Sequence, residues 1–167
     1  GPERVVRMVR QAVGDRDVEY SIKSKKVKLL DENTEEEAYQ SICSLYDTDV
    51  VRMPATFKGI KFDFMELDEK NQVAEFYYNY KGEKITYFIN LSYSDGSWGI
   101  DIEDEIKKKY EKDINGCKSE ITLYKVKKSS CSRCVAKFQY NDKEYFIMGT
   151  MKPKEFEKIL ENLFFPK

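Results

Sequence analysis

The sequence predicts an α+β domain, a curved and mostly antiparallel meander sheet of about six or seven strands with helices packed mainly on one face. Three observations carry that expectation. Between Ile60 and Thr150, short segments alternate apolar and polar residues with the period of a half-buried strand. The dipeptides Lys81-Gly82, Asn115-Gly116 and Asn141-Asp142 separate those segments at the spacing of hairpins. Two amphipathic helical patterns, one capped at Thr34 and one opening at Pro153, flank the run.

Taken in order, Val5, Val6, Val9 and Val13, with Arg4, Arg7 and Arg10 between them, suit a short helix from Pro2 to about Gly14. Such Arg-rich helices often flank membranes, but a solvated helix face is the simpler reading. Val18, Tyr20 and Ile22 alternate as a strand would, and the polar run Lys23 to Lys28 reads as a solvated edge or loop. Thr34 and Glu37 form a capping box, so a helix starts there, with Ala38, Ile42, Leu45 and Tyr46 as its buried face and Asp47 to Asp49 as its exit. Met53-Pro54 then breaks regular structure. Ile60, Phe62 and Phe64 are expected on one side of a strand. Asp68 to Asn71 turn the chain, and Ala74, Phe76, Tyr78 and Tyr80 return antiparallel. Ile85, Tyr87, Ile89, Leu91 and Tyr93 make the longest clean alternation, which predicts the central strand.

After an irregular segment, Lys109 to Ile114 and Cys117 to Val126 flank Asn115-Gly116, the pair best suited to a type I′ turn. Cys134, Ala136, Phe138 and Tyr140 pair with Tyr145 to Met148 across Asn141-Asp142. Pro153 fits a first helical turn, Phe156, Ile159, Leu160 and Leu163 form one stripe, and Pro166 stops it. Burying four such side chains stabilises by roughly 6 to 10 kcal/mol before ordering costs, so the stripe needs a sheet to cover.

A chain of 167 residues defaults to one domain: a helix or stalk with a strand over 1–33, then an α+β domain over 34–167, most simply with one shared core. A two-lobed division near Met53-Pro54 is the alternative. Lys and Arg (29) nearly balance Asp and Glu (30), which leaves no global field to capture nucleic acid. No apolar run long enough to cross a bilayer occurs in the 167 residues. Gly1 stands where an initiator Met would, which reads as a processed or engineered start, and a targeting or anchoring segment is one candidate for what preceded it.

The residues give architecture more readily than chemistry. Cys131-Ser132-Arg133-Cys134 leads into a strand rather than a helix N-terminus, which argues against a redox site. Cys43 and Cys117 are isolated and histidine is absent, which argues against zinc. A local disulfide between Cys131 and Cys134, or inert thiols, is the expectation. Asp95, Asp101, Glu103, Asp104 and Glu105 do not match a calcium loop and read as a solvated acidic loop. A long loop with an aromatic tip is nevertheless a common place for recognition, so Tyr93, Asp95, Trp98 and Asp101 are the candidate binding surface. Phe76, Tyr77, Tyr78 and Tyr80 lack the interleaved cations of a base-stacking platform and read as one buried face and one Tyr-decorated outer face. Without histidine no Ser/His/Asp grouping exists, and no catalytic residue, cofactor or metal site is expected.

Met53-Pro54 through the hairpin from Phe62 to Tyr80, Ile114-Asn115-Gly116, the run Val135 to Tyr140, the run Tyr145 to Met151 and the run Glu155 to Leu163 together resemble a bacterial domain family of unknown function. Its most specific elements here are the Tyr-x-x-x-Gly strand end and the Glu-Phe-x-x-Ile-Leu helix. The family is known from Gram-positive membrane-anchored proteins, some similar to anti-sigma factors, in which the domain follows one transmembrane helix and lies outside the cell. The resemblance implies that the segment from Pro2 is a stalk and that the chain sits on the extracytoplasmic face of the membrane, a cytoplasmic location being the alternative. The expected function is a non-catalytic sensing or protein-interaction module. Its partner would be a protein, with no nucleic acid and with the membrane reached only through an upstream segment. The alternative is a carrier of an apolar ligand, lipid or glycan, in the concavity of the sheet, and a carboxylate-dependent hydrolase ranks last.

Overall fold

The computed structural model describes residues 26–27, 34–54, 57–92, 102 and 104–167. The expected helix over Pro2 to Gly14 and the strand over Val18 to Ile22 lie outside them. The strands are β1 (Lys26–Val27), β2 (Ile60–Asp68), β3 (Val73–Tyr80), β4 (Glu83–Asn90), β5 (Ile106–Ile114), β6 (Cys117–Lys125), β7 (Ser132–Tyr140) and β8 (Lys143–Met151). The helices are α1 (Glu35–Tyr46) and α2 (Pro153–Glu161). All strands join one antiparallel sheet in the order β1-β2-β3-β4-β8-β7-β6-β5. It consists of two meanders, β2 to β4 and β5 to β8, that meet where β4 pairs with β8. The two-residue β1 lengthens one edge, in the basic run expected there.

Turn chemistry sets the registers. Asn115 (φ 51°) and Gly116 (φ 84°) both take positive φ, the signature of a type I′ turn, and Asp113 Oδ1 accepts from the Gly116 amide at 2.8 Å. Asn141 and Asp142 (φ 47° and 59°) do the same between β7 and β8. As expected from its alternation, β4 is central, buried on both faces from Ile85 to Asn90. It ends at Asn90, and the Leu91 amide bonds instead to the Gln72 carbonyl at 2.8 Å.

Phe64 does not share a face with Ile60 and Phe62. The register steps from Phe62 opposite Tyr78 to Phe64 opposite Tyr77, which leaves Asp63 as a bulge residue. One extra residue inverts the alternation beyond it, so Phe62 packs on the helix side and Phe64 on the other.

Both helices cover the same face. The Thr34 hydroxyl accepts from the Glu37 amide at 3.4 Å, as the capping box requires, and Ala38, Tyr39 and Ile42 are buried. Leu45, expected in that stripe, is 57% exposed. Tyr39 draws the centre of the stripe toward Ala38, Tyr39, Ile42 and Tyr46, and this turns Leu45 onto its shoulder. Phe156, Ile159 and Leu160 of α2, and Leu163 just beyond it, are all buried against the sheet. Beyond it Phe164 exchanges two backbone hydrogen bonds of 2.9 Å with Arg52, tying the helix tail to the segment after α1.

The two family-like elements have direct physical roles. Gly149, ending Tyr-x-x-x-Gly, has no Cβ where one would meet Met151 Cε at 2.9 Å and Ile85 Cγ1 at 3.1 Å. Glu155, opening Glu-Phe-x-x-Ile-Leu, accepts from Tyr80 Oη at 2.6 Å and Lys81 Nζ at 2.9 Å. These two bonds, the Tyr80 one first, hold its carboxyl below the ordinary range.

Candidate functional site

On the helix side, a set of tyrosines holds the buried segment Val50 to Met53 between sheet and helices. The Val51 amide donates to Tyr145 Oη at 3.2 Å, and Tyr87 Oη donates to the Val51 carbonyl. The Met53 amide donates to Tyr39 Oη at 3.0 Å, Tyr39 and Tyr78 Oη lie 2.8 Å apart, and Tyr78 Oη donates to Glu35 Oε2 at 2.6 Å. A phenol has one proton. With that of Tyr78 committed to Glu35, Tyr39 must be the donor between the two rings. Burial raises Tyr39, Tyr78, Tyr87 and Tyr145 above the ordinary phenol range, and it is also the first cause of the upward shift of Glu35. The four phenols stay protonated at neutral pH and hold the segment in place. As phenols they are poor bases and poor nucleophiles.

The cysteines divide by burial. Cys43, Cys117, Cys131 and Cys134 are all free, so the Cys131–Cys134 bridge expected as one option is not present. Cys134 is turned into the helix-side core, with Sγ 3.5 Å from the Ser132 carbonyl and 3.7 Å from that of Met151, whereas Cys131 is half-buried before β7. Burial pushes the Cys134 thiol up to about 12, which removes the thiolate needed for attack or metal binding. Among the described residues no group of three His, Cys, Asp or Glu side chains is placed to hold a metal.

The opposite face of the sheet differs from the Tyr-decorated outer face read from the sequence. Val73, Tyr77, Phe88, Ile102, Tyr124, Val135, Phe146 and Met148 form a second buried cluster there, with Phe64 packed against it. An aromatic ladder crosses four strands: Phe64 stacks on Tyr77 at 4.6 Å, Tyr77 meets Phe88 edge-on at 6.0 Å, and Phe88 meets Phe146 at 6.1 Å. Polar groups lie among the rings. Tyr77 Oη donates to Glu75 Oε1 at 2.8 Å, and Arg133 pairs with Asp104. Thr86 Oγ1 and both amide atoms of Asn90, on side chains 1% and 0% exposed, have no hydrogen-bond partner among the described residues. Leaving such atoms unsatisfied costs about 1 to 3 kcal/mol each.

Of the binding residues named from sequence, Tyr93, Asp95, Trp98 and Asp101 lie outside the described residues. The described end of the same acidic segment, Ile102 and Asp104, docks on this second face. Thr86 and Asn90 were missed because each occupies the polar slot of an alternating strand, which normally faces water. The sequence signal was present only in the strand's central position, where both faces are covered. Elsewhere, a surface depression of about 500 Å³ is lined by Tyr46, Asp49, Leu91, Asp142, Lys143 and Lys167, and its mixed charges select no ligand sign.

One antiparallel sheet, with two helices on one face and a cluster of its own aromatic and aliphatic side chains buried on the other, defines an α+β domain. Residues 50–163, more than half of the chain, match the family described as Domain of unknown function (DUF4367), and the chain belongs to that family. The match opens at Val50, where the tyrosine-held segment begins, and closes at Leu163, the last residue of the α2 stripe. No curated protein matches the chain.

Proposed function

We propose that the chain is a non-catalytic sensing or protein-interaction module, carried on the extracytoplasmic side by a membrane-anchored bacterial protein. The observation that carries this reading is the state of the interior: its tyrosines and Cys134 are shifted toward their neutral forms, and the tyrosines are tied to backbone or to each other. Groups so held set a shape and do not exchange protons with a substrate. A panel of hydrolase substrates is expected to show no turnover above a protein-free control, and turnover abolished by one surface substitution would overturn the reading. Location has its own readout. A membrane-impermeant maleimide is expected to label the half-buried Cys131 in intact cells, and labelling only after permeabilisation would place the domain inside.

The second reading, a binder of an apolar ligand, draws on the second face. There the ladder from Phe64 to Phe146 lies around Thr86 and Asn90, unpartnered among the described residues, a lining that a lipid or glycan with an amide or hydroxyl group would satisfy. The helix-side concavity, by contrast, is filled by α1, α2 and the Val50–Met53 segment. Native mass spectrometry would show a copurifying adduct that the Asn90→Leu variant loses; a clean apo mass for the wild-type chain removes this reading.

A further inference from the structure

Strand β5 ends the sheet. It pairs with β6 on one side and with no described strand on the other, and its residues Ile106 to Lys109 are exposed. Ile114 and Cys117 close the two-residue type I′ turn, so they form a hydrogen-bonded pair of the ladder. Alternation from that pair directs the backbone groups of Tyr110 and Lys112 toward β6. Those of Lys109, Glu111 and Asp113 point outward, away from every described strand.

The charges along this edge are arranged about Tyr110. Lys109 and Glu111 flank it, Lys107 and Asp113 come next, and Ile106 and Ile114 end the strand. An antiparallel copy related by a two-fold axis at Tyr110 would therefore set Lys109 against Glu111, a contact that occurs twice. Moving the axis one residue either way puts Lys109 against Lys109 or Glu111 against Glu111 on the axis itself. Only the neutral Tyr110 avoids this. The like pair at the Tyr110 register, Lys108 against Lys112, is already occupied within each chain: Lys112 Nζ lies 3.6 Å from Glu157 Oε1, and Lys108 Nζ lies 4.8 Å above the Tyr110 ring.

Glu111 has the opposite need. Its direct neighbour across the β5–β6 ladder is Glu120, a like charge, and no cation pairs with Glu111 among the described residues. Lys109 already reaches Glu120 at 3.2 Å, so a second Lys109 would complete an alternating row of charges. The bulge at Lys107 bends the start of the strand and limits flat pairing to the stretch centred on Tyr110. Edge lysines normally keep foreign strands away, and here they admit a strand that brings carboxylates at the matching positions.

We propose that two copies of this chain associate through β5, antiparallel about a two-fold axis at Tyr110, to form one continuous sheet. The test is sedimentation of the whole chain over micromolar to millimolar concentration, with circular dichroism to confirm folding of each variant. The wild-type chain is expected to move from monomer to dimer, more weakly as salt rises. Lys109→Glu alone and Glu111→Lys alone each create two repulsive contacts and weaken self-association by about ten-fold or more. The two single variants, mixed, restore every contact and form a heterodimer, and the double variant dimerises with its charges exchanged. A wild-type chain that stays monomeric throughout overturns the proposal. So does a dimer that ignores both single reversals, or two single variants that fail to combine.

Discussion

Substituting Tyr39 by Phe removes one oxygen and tests how the helix side is held together. The ring remains stacked on Phe76 at 4.3 Å, so apolar burial is unchanged. What is lost is the acceptor for the buried Met53 amide at 3.0 Å and the donor to Tyr78 at 2.8 Å. The Tyr78 oxygen keeps its own bond to Glu35, whereas the Met53 amide has nowhere else to turn. An orphaned buried N–H costs about 1 to 3 kcal/mol, so a loss of about 2 kcal/mol is expected. With a urea slope of roughly 2 kcal/mol/M, the midpoint falls by about 1 M while the slope stays the same. Tyr78→Phe breaks the same phenol pair from the other side. The double variant should therefore lose less than the sum of the singles. A loss under about 0.5 kcal/mol for Tyr39→Phe, or strict additivity, would refute the account of a tyrosine-held segment.

Two further outcomes follow from burial. The raised folded-state values of Tyr39, Tyr78, Tyr87 and Tyr145 contribute stability that is fully present below the unfolded phenol value and drains as pH rises through and beyond it. Ultraviolet difference titration should thus find these phenols silent until the chain unfolds in alkali, and a smooth titration of all tyrosines in the folded state would contradict that. Phe156→Ala, at a fully buried position of α2, should cost about 3 to 5 kcal/mol in chemical denaturation, and a cost below about 1 kcal/mol would mean that α2 does not seal the sheet.

Much of the fold was legible because local chemistry decides it. The Asn115-Gly116 turn follows from two residues that tolerate positive φ, the α2 stripe from its 3.6-residue spacing, and the place of β4 from unbroken alternation. The misses share a different cause. Asp63 reads as an ordinary polar slot, and only its pairing with β3 shows it to be a bulge that turns Phe64 over. Tyr39 displaces Leu45 because its hydroxyl finds Met53 and Tyr78. Thr86, Asn90 and Tyr77 look solvent-facing until a second layer buries them. In each case the deciding partner lies elsewhere in the chain, where periodicity carries no information. The candidate site was legible only as a neighbourhood, through the acidic segment whose described end reaches the second face.

The helix side is a closed core in which tyrosine hydroxyls hold the Val50–Met53 segment against the sheet. Residue-resolved amide hydrogen exchange tests it most directly. The Val51 and Met53 amides, bonded only to tyrosine hydroxyls, should exchange as slowly as those of β4, by global unfolding alone. Exchange at those two amides as fast as at the Lys81-Gly82 turn would show that the helix side opens independently and would contradict the account.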